Sequence, residues 1–205
     1  MSEQFAIVTG ASSGIGLALA KELAGRGYDL VVCSEDERVN DTAASLKSSL
    51  IKVTAVQADL ATAEGVKKFW AEVESFGRPV DVACINAGVG VGGLFAETDL
   101  EAEINMIELN CVGTVRLAKD LVKHMVRRGQ GRILITSSIA AEMVAPREAI
   151  YAATKSFGLT FAHSLRYELR DTGVSVTALQ PGPTDTNFFS PRRYGRYESR
   201  LRREI

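Results

Sequence analysis

Six short runs of β-branched and apolar residues punctuate this chain, and their alternation with helical patterns constrains its fold more than any other feature. The runs are Phe5–Val8, Leu30–Cys33, Val53–Val56, Val80–Ile85, Ile133–Thr136 and Val174–Leu179. Continuous runs of this kind suit strands covered on both faces, as in a parallel sheet. Between them, apolar residues recur at helical spacing over roughly 15–26, 38–49, 63–76, 99–128 and 150–171. Strand and helix in strict alternation predict an α/β fold: a doubly wound parallel sheet of six strands in a three-layer, Rossmann-like sandwich. Right-handed crossovers then bring the loops that follow the strands to one edge, where ligands bind.

The first run ends in Thr9-Gly10-Ala11-Ser12-Ser13-Gly14-Ile15-Gly16, and a helical pattern starts at once. Glycines allow a tight turn and a close approach of backbone to phosphate, and the first helical turn offers N–H groups and a partial positive charge to an anion. A strand–glycine turn–helix unit at this place is what the binding of a dinucleotide pyrophosphate requires. Further along, Tyr151 and Lys155 stand four residues apart in a helical pattern and so share one face. A phenol ionises near pH ~10, and a fixed ammonium beside it favours the phenolate, which moves it toward acid–base work at neutral pH. Ser138 lies just past the fifth run, on the ligand edge, with a hydroxyl able to hold a substrate oxygen. Its neighbour Ser137 is expected to point the other way by strand alternation.

The spacing Thr-Gly-x-x-x-Gly-x-Gly resembles the signature of the short-chain dehydrogenase/reductase family. The resemblance continues through Asp59-Leu60, Asn86-Ala87-Gly88, Asn110, Ser138, the Tyr151-x-x-x-Lys155 pair and Pro181-Gly182, over roughly residues 4–188. It implies a nicotinamide-dependent oxidoreductase that moves a hydride between cofactor and a secondary alcohol or ketone, with Tyr151 transferring the proton. By the same resemblance Lys155 also holds the cofactor ribose. Asn110 orders a water that links Lys155 to solvent, a local backbone cap being its alternative role. The cofactor-binding set so implied is Gly10, Ser12, Ser13, Gly14, Ile15, Gly16, Glu35, Asp59, Leu60, Asn86, Ala87, Gly88, Tyr151, Lys155, Pro181 and Gly182. Thr186 is its candidate for the carboxamide contact, with Thr184 as second choice.

After the second run the chain reads Ser34-Glu35-Asp36-Glu37-Arg38. Family members that take NAD commonly place an aspartate near position 34, and those that take NADP an arginine near 35. This chain has neither. Its acidic cluster repels a 2′-phosphate and favours NAD, while Arg38 and the room beside Ser34 keep NADP open.

Composition enters through what it excludes. The net charge is −1, and Pro191–Ile205 carries six arginines against two glutamates, so the remainder holds −5 and gives no nucleic-acid footprint. Residues 1–190 read as one domain and 191–205 as a disordered or weakly helical arginine-rich tail. Cys33, Cys84 and Cys111 are scattered and read as reduced, apolar side chains, neither a disulfide frame nor a metal site. No leader or membrane span fits the sequence, which predicts a cytoplasmic protein. The histidines, His124 and His163, have no partner that would suggest chemistry.

The family usually continues some fifty residues past Pro-Gly, supplying a substrate lid and a seventh strand. Their apparent absence predicts an exposed sixth-strand edge and a less sheltered pocket. It also raises an alternative function, a cofactor-binding protein without turnover that acts by interaction. The resemblance further implies a homodimer through the helices at 99–128 and 150–171, with a tetramer resting on the absent strand.

Overall fold

A computed structural model describes residues 4–183. Its six strands are β1 (Phe5–Thr9), β2 (Asp29–Ser34), β3 (Val53–Gln57), β4 (Val82–Ile85), β5 (Gly131–Thr136) and β6 (Val174–Leu179), all parallel, in the order β3-β2-β1-β4-β5-β6. The helices are α1 (Gly14–Gly25), α2 (Val39–Leu46), α3 (Ala63–Ser75), α4 (Leu100–Ile107), α5 (Thr114–Arg128) and α6 (Ala149–Glu168). The doubly wound sheet read from the alternation of runs is therefore what the chain forms. Strand order reverses between β1 and β4, and the loops after these two strands open the crevice in which such sheets bind ligands.

Alternate residues of each strand feed opposite sides. Phe5, Ile7, Val31, Cys33, Ile133 and Ile135 pack with Val66 and Phe69 of α3, Leu117 and Leu121 of α5 and Ala162 of α6. Ala6, Val8, Leu30 and Val32 pack with Ala20 and Leu23 of α1 and Val39 and Ala43 of α2. Two buried faces per strand explain why the runs are continuously apolar instead of alternating.

The helix ends are set by local chemistry. Thr62 accepts from the Gly65 N–H at the start of α3, and Asp99 accepts from the Ala102 N–H at the start of α4. Gly129 ends α5 in a left-handed conformation (φ 73°), after Arg127 and Arg128 in the last turn.

The helical pattern over 99–128 is not one helix. It divides into α4, a π-helical stretch over Glu108–Gly113, and α5. Periodicity alone does not register a single widened turn. Two contacts account for its place. Gly113 presses so closely on the Leu60 carbonyl that a Cβ would overlap it. Asn110 turns inward, its Oδ1 accepting the Val89 N–H (3.0 Å) and its Nδ2 donating to the Val89 carbonyl (2.9 Å) and Thr154 Oγ1 (3.0 Å). Widened turns of this sort recur at functional sites. The pattern at 38–49 likewise yields a shorter helix, because the chain turns extended at Lys47 (ψ 135°).

Candidate active site

At the end of β1 the backbone turns left-handed at Gly10 (φ 66°) and again at Gly14 (φ 54°), where α1 begins. Gly10 lies against the next loop, since a Cβ there would meet Ala87 Cα at 2.9 Å. A Cβ on Gly16 would overlap the Gly10 carbonyl, so α1 can reach the turn only through glycine. Ser13 precedes the helix without a side-chain cap, and no acidic residue occupies the first turn. Among the described residues, no side chain therefore competes with an anion for the N–H groups there, as a dinucleotide pyrophosphate would need.

Thr9, the last residue of β1, ties this turn to the loop after β4. Its Oγ1 accepts the N–H groups of Asn86 (2.9 Å) and Ala87 (3.0 Å), and its carbonyl accepts Asn86 Nδ2 (3.1 Å). Asn86 Oδ1 in turn accepts from Thr136 Oγ1 at the end of β5 (3.0 Å). Thr9 opens the glycine signature, whereas Thr136 is outside every motif and only its place at a strand end could signal its part in the network.

Around the second end of the crevice, Ser138, Tyr151 and Lys155 come together. Ser137 and Ser138 do diverge as strand alternation predicts. Ser137 Oγ donates to the Lys155 carbonyl (2.7 Å) on the buried side of α6, while Ser138 hydrogen-bonds the Tyr151 phenol. Ser138 Oγ also accepts the Ala140 N–H (3.1 Å), which fixes its rotamer over the 3₁₀ turn at Ile139–Glu142. Lys155 Nζ donates to the Thr136 carbonyl (3.2 Å) and stands 5.7 Å from the centre of the Tyr151 ring. A Cβ on Gly88 would lie 3.4 Å from Lys155 Nζ and 3.0 Å from Asn110 Oδ1, so Gly88 floors the site between them.

The electrostatics differ from what the Tyr–Lys spacing alone implies. Burial pushes the Tyr151 phenol above its ordinary range; the Ser138 hydrogen bond pulls it back, and the charge of Glu148 adds to the rise. Burial also weakens the cation expected to acidify it, since loss of solvent takes the Lys155 ammonium down to about 8. Desolvation disfavours the charged form of both groups. Glu148 was not among the residues read from sequence, although it precedes Tyr151 by one helical turn.

At the end of β2, the Ser12 and Ser34 hydroxyls lie 3.0 Å apart, and Glu35 is exposed beside them. Arg38 does not turn toward Ser34. Its guanidinium holds Asp36, with Nε 2.8 Å from Oδ2. Glu35, Asp59 and Gly65 border an open depression of about 600 Å³, and Asp59 Oδ1 accepts the Ala61 N–H (2.9 Å). Leu60 is buried. The Pro181 carbonyl accepts the Ile139 N–H (3.2 Å), placing Pro181-Gly182 beside Ser138. Thr184, Thr186 and the arginine-rich tail at 191–205 lie outside the described residues.

Residues 4–196 match the family model described as short chain dehydrogenase. The chain belongs to the short-chain dehydrogenases. It is an NAD(P)-dependent oxidoreductase of that family. Its relatives include 1-deoxy-11-beta-hydroxypentalenate dehydrogenase of Streptomyces exfoliatus, 40% identical over 185 residues, covering 88% of this chain and 67% of the relative. Among solved structures, an alcohol dehydrogenase from the archaeon Thermococcus sibiricus in complex with 5-hydroxy-NADP is similar with a TM-score of 0.83 at 32% identity, covering 90% of this chain and 78% of that one. L-Sorbose reductase of Gluconobacter frateurii, with NADPH and L-sorbose, is similar with a TM-score of 0.84 at 34% identity, covering 91% and 72%.

Elsewhere in this short-chain dehydrogenase, His124 and two of the cysteines have packing roles. His124 Nε2 accepts the Val80 N–H (3.2 Å) and meets the edge of Trp70 at 5.9 Å. Cys33 and Cys84 are buried free thiols that burial pushes up to about 12. Among the described residues, no helix is long and apolar enough to cross a membrane.

Proposed function

We propose that this chain transfers a hydride between a nicotinamide cofactor and a secondary alcohol or ketone, with Tyr151 as the general acid/base. The observation that carries this reading is the Ser138–Tyr151 hydrogen bond, set beside buried Lys155 on the ligand edge and bridged to the glycine turn through Thr136, Asn86 and Thr9. When bound, the nicotinamide supplies or accepts the hydride. The Tyr151 oxygen takes the hydroxyl proton of an alcohol, or returns it to the oxygen of a ketone. Ser138 holds that same oxygen without adding charge. Lys155 supports the charge on the phenolate and can bind ribose hydroxyls. Asn110, whose amide is fully engaged by Val89 and Thr154, acts as a positioning residue joining the β4 loop to α6.

Gly10, Ser12, Ser13, Gly14, Ile15 and Gly16 would cradle the pyrophosphate, and Asp59 and Leu60 would border the adenine. Glu35, with Arg38 already engaged by Asp36, favours NAD over NADP for this chain. Titration with each dinucleotide tests the preference, and tighter binding of NADPH would reverse it. The same relations support a homodimer through α4–α6, where Leu100 and Ile104 are exposed, and a cytoplasmic site for a protein whose cysteines are free. Sedimentation of a monomer alone would remove the dimer.

The decisive experiment is Tyr151→Phe with turnover followed through reduced-nicotinamide absorbance. General acid–base groups contribute ~10²–10⁴ in rate, so about a thousandfold loss is expected with cofactor affinity retained. A variant as fast as the parent would refute the reading. Cofactor binding without turnover on any alcohol or ketone would favour action by interaction instead.

A further inference from the structure

Glu148 is the anomaly of the candidate site. It is the residue immediately before α6, three positions ahead of Tyr151. It is half-buried, its side chain does not cap the helix, and among the described residues its carboxylate takes part in no hydrogen bond or ion pair. The residue before it, Arg147, is held left-handed (φ 68°), and its carbonyl accepts the Gly93 N–H (2.7 Å) from the loop after β4. For a residue other than glycine such a conformation costs roughly 1–3 kcal/mol and persists only where surrounding contacts fix it. The entry to α6, and Glu148 with it, is therefore tied to the loop after β4.

The packing around Tyr151, one turn further on, is apolar. Val89, Val91, Ala145 and Ile150 pack about Tyr151, Met106 and Ala140. Burial accordingly raises the Glu148 carboxyl, and its charge in turn works against the phenolate of Tyr151. A carboxylate that hinders the base and has no hydrogen-bond or ion-pair partner among the described residues does not serve the proton transfer itself. A charge so placed acts most strongly on what enters from solvent.

Resting on the assignment of Tyr151 as the reacting phenol, we infer that Glu148 is a specificity-determining residue. It selects alcohols and ketones that carry a cationic amine beside the reacting carbon and rejects those that carry an anion there. The substrate class that fits is an apolar body with an ammonium next to the carbinol or carbonyl; α-keto acids are disfavoured.

Three aryl ketones that differ only at this position test the inference: acetophenone, α-aminoacetophenone and benzoylformate. Glu148→Gln keeps the shape of the side chain and removes its charge. Taking kcat/KM relative to acetophenone divides out any effect on the phenol common to all three. Expected in Glu148→Gln is a fall of about tenfold in the relative value for the amino ketone and a comparable rise for benzoylformate, as for unit charges a few ångströms apart in a partly screened site. Unchanged ratios, even with an altered melting temperature, would overturn the inference and leave Glu148 as a helix-end charge only. Should none of the three ketones turn over, titration of tyrosinate absorbance, with Tyr151→Phe as the blank, reads the same charge. Glu148→Gln should lower the phenol midpoint, and an unmoved midpoint overturns the inference. Tyr151→Phe separates the two readings. Turnover surviving that change sinks the active-site assignment, whereas turnover lost in Tyr151→Phe with ratios unmoved in Glu148→Gln sinks only the role of Glu148.

Discussion

The two edges of the sheet treat charge in opposite ways. At the edge where the strands begin, the carboxylates of buried Asp29 and partly buried Asp81 each meet both a backbone N–H and a guanidinium. Asp29 accepts the Lys52 N–H (2.7 Å) and pairs with Arg78, and Asp81 accepts the Phe5 N–H (2.8 Å) and pairs with Arg128 (2.7 Å). At the edge where the strands end, Lys155 and Tyr151 are buried, Lys155 forms no ion pair among the described residues, and solvent loss pushes each toward its neutral form. One edge uses ionised groups to fasten strands; the other holds them in an environment that disfavours ionisation, where a small change in surroundings moves a proton. Stability and reactivity are thus separated along the strand direction, by about the length of one strand.

If that separation holds, changes at one edge should leave the other almost untouched. The largest effect belongs to Tyr151→Phe, which should lower turnover about a thousandfold while the chemical denaturation midpoint stays near that of the parent. A large fall in stability would show that the phenol is a core group first and a reacting group second. The mirror experiment is Asp29→Asn. The amide still accepts the Lys52 N–H but leaves Arg78, already with one buried Nη2 that has no partner among the described residues, without its counter-charge. Breaking a buried pair costs ~3–5 kcal/mol. Arg78 remains a quarter exposed, so a loss nearer ~2–3 kcal/mol is expected. Urea unfolding checks it, and turnover per folded molecule should not change.

Most of this contrast was legible in the sequence at one edge only. The glycine turn, Ser138, Tyr151 and Lys155 announce themselves because their chemistry demands fixed spacings within a strand end or a helix. The fold was legible for a similar reason: runs buried on both faces leave a continuous apolar signature. Asp29 and Asp81 carry no such mark, since their partners Arg78 and Arg128 come from distant segments and only the sheet brings them together. The π-helical turn at Glu108–Gly113 was equally hidden, because one extra residue in a helix barely disturbs its period. Desolvation was hidden too. Tyr-x-x-x-Lys spacing shows proximity, but whether an ammonium keeps its charge depends on burial, which belongs to the packed molecule.

Lys155 sharpens the comparison through pH. Its folded value of about 8 lies below its ordinary 10.5, so the unfolded chain binds the proton more tightly. Stability attributable to this residue therefore rises with pH between about 8 and 10.5, and below that window the folded state bears the full penalty of a buried cation. By the conversion of ~1.4 kcal/mol per pH unit, the penalty is on the order of 3–4 kcal/mol. Lys155→Met, similar in length and uncharged, should be more stable than the parent at pH 7 and lose that advantage by pH ~10.5. Urea midpoints of both proteins across the range provide the check, in cofactor-free buffer. Parallel curves would show that the ammonium is solvated after all, and the contrast between edges would lose its chemical basis.

The smallest effect probes how much of the fastening at the other edge comes from charge and how much from the backbone. Arg128 and Asp81 meet at 2.7 Å, but both side chains retain contact with solvent, at 31% and 17% exposure. Exposed pairs contribute ~0.2–1 kcal/mol, and salt screens them. Arg128→Ala should therefore cost under about 1 kcal/mol in low salt and nearly nothing in 1 M salt. Asp81 loses little because its other oxygen still accepts the Phe5 N–H and its backbone still bridges β1 and β5, donating to the Phe5 carbonyl (2.8 Å) and accepting from Arg132 (3.0 Å). A loss above ~2 kcal/mol, or one that salt does not reduce, would mean that the guanidinium is part of the buried frame in the way Arg78 is. Asp29 and Asp81 would then be equivalent clamps instead of one deep and one shallow.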